Sequence, residues 1–216
     1  MQVIVPLDAS ERVLARSVAL RPEQSEAWLN LAQIRSAAGR MEDAMECFRK
    51  VLEFSPGHSR ARVGLGRQLA ATRRFDEAAT LLEEGLTLDP SDPELQLELA
   101  QSRELAGEPL EAAELYRAVA EGSEELRARA LALLSVNYRK RQRPGSALVA
   151  ARSAAWSDSG SPEAWRALGQ ALKELGRLAE AAEAFRKSHA ILRTPGSSQG
   201  ENRLNILQTS KAKLRH

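Results

Sequence analysis

The 216-residue sequence is poor in the residues that usually carry chemistry: one cysteine, three histidines, and aromatics at only 4% of the chain. A single cysteine, Cys47, excludes an internal disulfide framework and any metal site built from several thiolates. Lying between Glu46 and Phe48 in a helical stretch, it reads as a small buried thiol rather than a nucleophile. His58, His189 and His216 stand in a turn, in a helix and at the last position, which makes no metal-ligating set. No stretch approaches the roughly 20 apolar residues of a membrane span, and the start, MQVIVPLDAS, has no basic leader. The chain is therefore read as cytoplasmic, with no membrane partner. An excess of one charge is also missing: 31 basic and 29 acidic residues leave +2, too little for a surface that binds nucleic acid as a polyelectrolyte. The glycines are scattered at helix junctions rather than gathered in a phosphate-binding loop. Paired glutamates such as Glu83-Glu84 and Glu124-Glu125 read as solvated helix faces or ends, not as an acid and base. No catalytic residue, cofactor or metal is expected, and the chain is read as a non-enzyme.

What is abundant is Ala, Leu, Glu and Arg, all strong helix formers, so an all-α protein is the first expectation. Residues 26–50 read EAWLNLAQIRSAAGRMEDAMECFRK, and residues 163–187 read EAWRALGQALKELGRLAEAAEAFRK. Between these copies lie others. Leu31, Leu65, Leu99, Leu134 and Leu168 recur at spacings of 34, 34, 35 and 34, each followed by a small residue: Ala32, Gly66, Ala100, Ser135 and Gly169. Thirteen residues after each leucine stands an alanine, at Ala44, Ala78, Ala112, Ala147 and Ala181. Each unit breaks in its middle, for example at Gly39-Arg40 and Gly176-Arg177, and again at its end, as at Ser55-Pro56-Gly57. Between breaks the apolar residues return every three or four positions, so each unit is a helix hairpin. The small residue and the alanine face each other where two helices cross closely, and Trp28, Trp165, Phe48, Tyr116 and Phe185 fill the remaining gaps.

This spacing and these residue types resemble the tetratricopeptide repeat, a helix-turn-helix unit of about 34 residues. The resemblance covers roughly residues 8–193. It implies a right-handed α-solenoid of five units, at 25–58, 59–92, 93–127, 128–161 and 162–193. The fourth unit departs from the pattern, with Ala151 where a large aromatic usually sits and Ser159 where proline usually closes the repeat. The third carries the extra residue near Glu121-Gly122-Ser123-Glu124-Glu125, so looser packing or altered twist is expected over residues 121–160. Ahead of the units, within an N-terminal segment 1–24, residues 8–22 match the second half of a repeat, and Val13, Leu14 and Val18 form a stripe that a preceding helix would cover. After them come a Gly/Ser linker, 194–200, and a C-terminal stretch, 201–216, whose Leu204, Leu207 and Leu214 share one helical face and suit a capping or docking helix.

In such repeats the first helices line a concave groove. By that resemblance the groove contains Asn30, Gln33, Val63, Arg67, Leu97, Glu98, Gln101, Leu133, Val136, Lys140, Arg166, Gln170 and Lys173. Leu133 and Val136 are apolar positions that either want covering by a ligand or turn inward, and Arg139 and Lys140 beside them would attract a carboxylate. The run RKRQR, residues 139–143, has no aromatic platform and reads as helix-end charge offsetting the dipole. Repeats that clamp a chaperone's terminal carboxylate use lysines and asparagines on three first helices; here Glu94 and Glu98 on the third would repel that ligand. The function implied is a scaffold or adaptor holding a peptide or helix of a partner protein. The alternatives are self-assembly through residues 8–22 or 201–215, and a substrate-recruiting region of a larger enzyme such as a transferase.

Overall fold

The computed structural model of the protein describes residues 9–193. The N-terminal residues 1–8, the expected linker and the expected C-terminal helix lie outside the described residues. Among the described residues eleven helices follow one another: α1 Ala9–Leu20, α2 Ser25–Ala37, α3 Met41–Phe54, α4 Ser59–Ala71, α5 Phe75–Leu88, α6 Pro93–Ala106, α7 Pro109–Gly122, α8 Glu124–Lys140, α9 Pro144–Ser157, α10 Pro162–Glu174 and α11 Leu178–Arg193. No strand occurs among the described residues, and none of their helices is long and apolar enough to cross a membrane. The chain divides into two compact units, with the boundary inside α7 between Leu115 and Tyr116.

Each hairpin turn is made the same way. Gly39, Arg73, Gly107, Gln142 and Gly176 all have positive φ, between 56° and 94°, and they recur at the repeat spacing. A left-handed residue ends the first helix and reverses the chain in three residues, or two at Gly107. Glycine adopts it without steric cost, whereas Arg73 and Gln142 hold a side chain in a region where Cβ crowds the carbonyl. Four of the first helices start on a side-chain cap, α2 being the exception: the His58 imidazole accepts from Ala61 N at 3.3 Å, Asp92 from Glu94 and Leu95 N, Ser123 from Leu126 N and Ser161 from Ala164 N.

In the first unit the core joins Leu29, Leu31, Phe48, Val51, Leu65 and Leu69, with a second cluster of Val63, Leu82, Leu95 and Leu99. In the second unit the main cluster is mostly alanine, from Ala132 through Ala147, Ala151, Ala154 and Ala167 to Ala184, with Leu148, Leu168 and Leu172. The expected small residues lie at close crossings. A Cβ on Gly66 would stand 3.2 Å from Leu82, and one on Gly169 would stand 2.7 Å from the Phe185 ring. Trp28 and Trp165, at the same repeat position, each donate the indole N–H to a carbonyl six residues back, Pro22 at 2.7 Å and Ser159 at 2.8 Å. Glu11 of α1 is buried and bonded to both Arg35 and Arg40, which ties the half repeat to the first full hairpin.

The fourth repeat differs from expectation in a specific way. Ala151 is fully buried, and Ser135 donates to the Ala147 carbonyl at 2.9 Å between α8 and α9, so the absent aromatic is replaced by close approach of small residues. The irregularity lies instead at the start of α8. This helix begins at Glu124, four residues ahead of the repeat boundary at 128, and only Ser123 separates it from α7.

Candidate partner-binding face

The first helices α2, α4 and α6 of the first unit, and α8 and α10 of the second, carry the residues assigned to a groove. In the first unit Asn30, Gln33 and Arg67 are exposed, and Gln101 is half-buried with its amide on the Leu97 carbonyl. Three assignments are corrected. Val63 is 2% exposed, Leu97 1% and Glu98 6%, so none is offered to a partner. Val63 points at the seam between its own hairpin and the next first helix, where it packs with Ala79, Leu82, Leu95 and Leu99. Leu97, one repeat later, occupies the same register, as does the buried Leu29 one repeat earlier.

Arg67 is exposed but not idle: its guanidinium bonds Glu98 Oε1 at 2.5 Å, bridging α4 and α6. Burial opposes the Arg67 charge, but the Glu98 hydrogen bond and the charges of Glu98 and Glu94 outweigh it, and its pKa rises. The pair makes a fixed rung on this face rather than a cation waiting for a carboxylate. In the same unit, Cys47 is buried and its Sγ accepts from the Arg35 guanidinium at 3.2 Å; desolvation outweighs that positive neighbour and pushes the thiol pKa up, which disfavours the thiolate.

In the second unit Leu133 and Val136 are half-buried, between the two expectations for them, while Lys140, Arg166 and Lys173 are exposed. Arg139 crosses from α8 to α10, donating from Nε to Glu174 Oε1 at 2.8 Å and from Nη1 to the side-chain Oε1 of Gln170 at 2.7 Å. Gln170 and Lys173 are brought together with Arg139, Glu174 and Phe185 around a cavity of about 460 Å³. The rest of RKRQR stays local: Arg141 lies over the Tyr138 ring at 5.9 Å. Among the described residues no His, Cys, Asp and Glu gather in a group able to hold a metal ion.

Neither rung was visible in the sequence, because the partners stand 31 to 35 residues apart on successive first helices. A search for opposite charges at the repeat spacing would have found Arg139 with Glu174, 35 residues on, whereas Glu98 stands 31 residues after Arg67, about one helical turn short of the repeat position.

Two family models described as tetratricopeptide repeat match the chain, one over residues 7–62 and 37–102 and the other over residues 162–194, together more than half of its length. Among solved structures, MamA 41-end from Desulfovibrio magneticus RS-1 is similar at 20% identity and a TM-score of 0.61, over 80% of this chain and 97% of that one. YrrB, described as a TPR protein with an unusual peptide-binding site, is similar at 18% identity and a TM-score of 0.56, over 84% and 93%. PilF of Pseudomonas aeruginosa is similar at 16% identity and a TM-score of 0.68, over 81% and 79%. At these identities the likeness carries the fold. No curated protein sequence matches the chain significantly.

Proposed function

The chain belongs to the tetratricopeptide repeat family, and on that premise we propose that it is a non-catalytic interaction scaffold whose first-helix faces bind a peptide or helix of a partner protein. The observation that carries this reading is the cavity of the second unit, where exposed Lys173 and the half-buried amide of Gln170 stand beside the fixed Arg139–Glu174 rung. Preorganised polar groups around a partly apolar floor give orientation without an ordering cost at the moment of binding. The likeness to YrrB, with its peptide-binding site, supports an extended peptide as the ligand class. Exposed Arg166 and Lys173 favour ligands with carboxylates at that end.

Peptides selected from a displayed library on the full chain test the proposal. The best binder should weaken about ten-fold or more in the Arg166→Glu/Lys173→Glu variant. Helix content and Tm should stay unchanged, because both side chains are exposed. Equal affinity for the two proteins removes α10 from the binding face. Arg67 is a poor choice for charge reversal, since glutamate there would face buried Glu98.

A second reading, self-association through residues 8–22, is favoured by α1, where Val13 is 69% and Leu20 72% exposed. A mass that rises with concentration, and returns to the monomer in Val13→Asp/Leu20→Asp, would move the interaction there.

A further inference from the structure

Trp156 is 92% exposed, whereas Trp28 and Trp165 are half-buried with their indole N–H groups bonded to turn carbonyls. An indole left in water is a large apolar surface with no folding role, and tryptophan and arginine together are the residues that most often anchor protein interfaces. Trp156 is the rim of an open pocket of about 610 Å³ in the second unit, whose floor includes Leu131 and Ala120 and whose walls carry Arg117, Arg127 and Arg152. Three guanidiniums face one carboxylate in that lining, Glu121.

The repeat explains how these groups meet. Arg117 and Arg152 stand five residues after the repeat alanine on successive second helices, α7 and α9, and Glu121 and Trp156 stand nine after it. Equivalent positions one repeat apart are neighbours in a stacked array. Arg127 comes from the extra first turn of α8, and its Nε donates to the Ala120 carbonyl at 2.9 Å, which holds the guanidinium over the pocket. The additional turn thus adds a third cation to a pair that the repeat had already placed. Arg186, five after Ala181, continues the same basic position on α11.

We propose that this pocket is a second docking site, separate from the first-helix face, for an acidic segment of a partner protein. The segment's apolar side chain enters against Trp156 and Leu131, and its flanking carboxylates meet Arg117, Arg127 and Arg152. Charge complementarity selects the occupant, since a row of arginines on successive helices matches carboxylates spaced along an extended chain. Glu121 in the lining would repel a phosphate backbone, and the aliphatic Leu131 and Ala120 suit a peptide's apolar side chain.

The test uses the full chain and peptides of the form Asp-Asp-X-Asp-Asp, with X as Trp, Leu or Lys, followed by the indole N–H resonances in NMR, Trp156 being assigned with Trp156→Phe. The Trp and Leu peptides should shift the Trp156 resonance, and the Lys peptide should not. Arg152→Glu and Trp156→Ala should each weaken binding about ten-fold or more. Both side chains are exposed, so circular dichroism should report an unchanged fold. The proposal is overturned if no peptide moves the Trp156 resonance, or if the Lys peptide moves it equally. It is also overturned if a single-stranded oligonucleotide moves it at lower concentration, or if Arg152→Glu binds as the wild type does. Neither variant touches α10, so loss of binding there and loss on the first-helix face are distinguishable.

Discussion

The two units follow one repeat pattern and fill it differently. In the first unit's main core four of thirteen buried residues are alanine, and leucine, valine, methionine and phenylalanine supply the volume; in the second unit's main core ten of thirteen are alanine. Conserving the leucine, small-residue and alanine positions is therefore enough to set the hairpin, while volume is negotiated locally. Large side chains hold helices apart and interlock; small ones let the backbones approach. A similar substitution occurs at the junctions. Elsewhere four residues link one repeat to the next, as in Ser55 to His58 or Asp158 to Ser161, but α7 and α8 are linked by Ser123 alone and α8 gains four residues at its start. Three residues of an ordinary connection plus the inserted one make about one helical turn, which leaves the apolar face of α8 nearly where the repeat needs it. An insertion that would have rotated the helix by about 100° is absorbed with little change of register.

The difference in cores is broken most severely by truncating the first unit. Phe48→Ala should cost about 3–5 kcal/mol by denaturant titration, because its ring is buried against Gly64 and nothing can refill the space. In the second unit enlargement is the damaging change. Ala151→Phe, which restores the aromatic common in this family, should destabilise by about 1–3 kcal/mol instead of stabilising, because Ala151 has no exposed surface into which a ring could grow. A stabilised Ala151→Phe protein would mean that space exists between α8 and α9 that close packing denies.

The ionic rungs sharpen the contrast on the first-helix faces. Arg67→Ala removes a cation bonded to Glu98, whose side chain is 7% exposed, and should cost about 1–2 kcal/mol; Arg139→Ala removes one bonded to the more exposed Glu174 and should cost under about 1 kcal/mol. At the short junction, Ser123→Ala removes the cap of the added turn and should cost about 1 kcal/mol, with faster amide exchange confined to residues near 124–127. The smallest effects are at the turns. Arg73→Gly and Gln142→Gly should each stabilise by about 0.5 kcal/mol, since glycine relieves the left-handed backbone more than it loosens the unfolded chain, whereas Gly39→Ala should destabilise.

Much of this fold could be read before any coordinates. The leucine series, the alanine thirteen residues on and the mid-unit breaks locate every hairpin, because each reports contacts made inside one repeat. Contacts between repeats were the part that escaped. Val63 and Leu97 look outward when a hairpin is considered alone and are buried once the neighbouring first helix is present. Arg67 and Arg139 look available for a ligand until their partners, one repeat away, are found. The added turn was hidden because Glu121-Gly122-Ser123-Glu124-Glu125 has the composition of a loop, although Ser123 followed by glutamates is also a helix start. Trp156 went unremarked because the leucine, small-residue and alanine series do not include its position, nine residues after the repeat alanine, where the preceding repeat has Glu121.

Trp28 and Trp165 have a further consequence. Each is anchored by its indole N–H to a repeat-closing turn, one in each unit, and each is partly shielded from water. Unfolding of either unit releases one ring and shifts its fluorescence to the red, while Trp156, already in water, contributes a steady background. With the other two indoles replaced by phenylalanine, single-tryptophan forms of the chain give each unit its own optical thermometer, with no label attached.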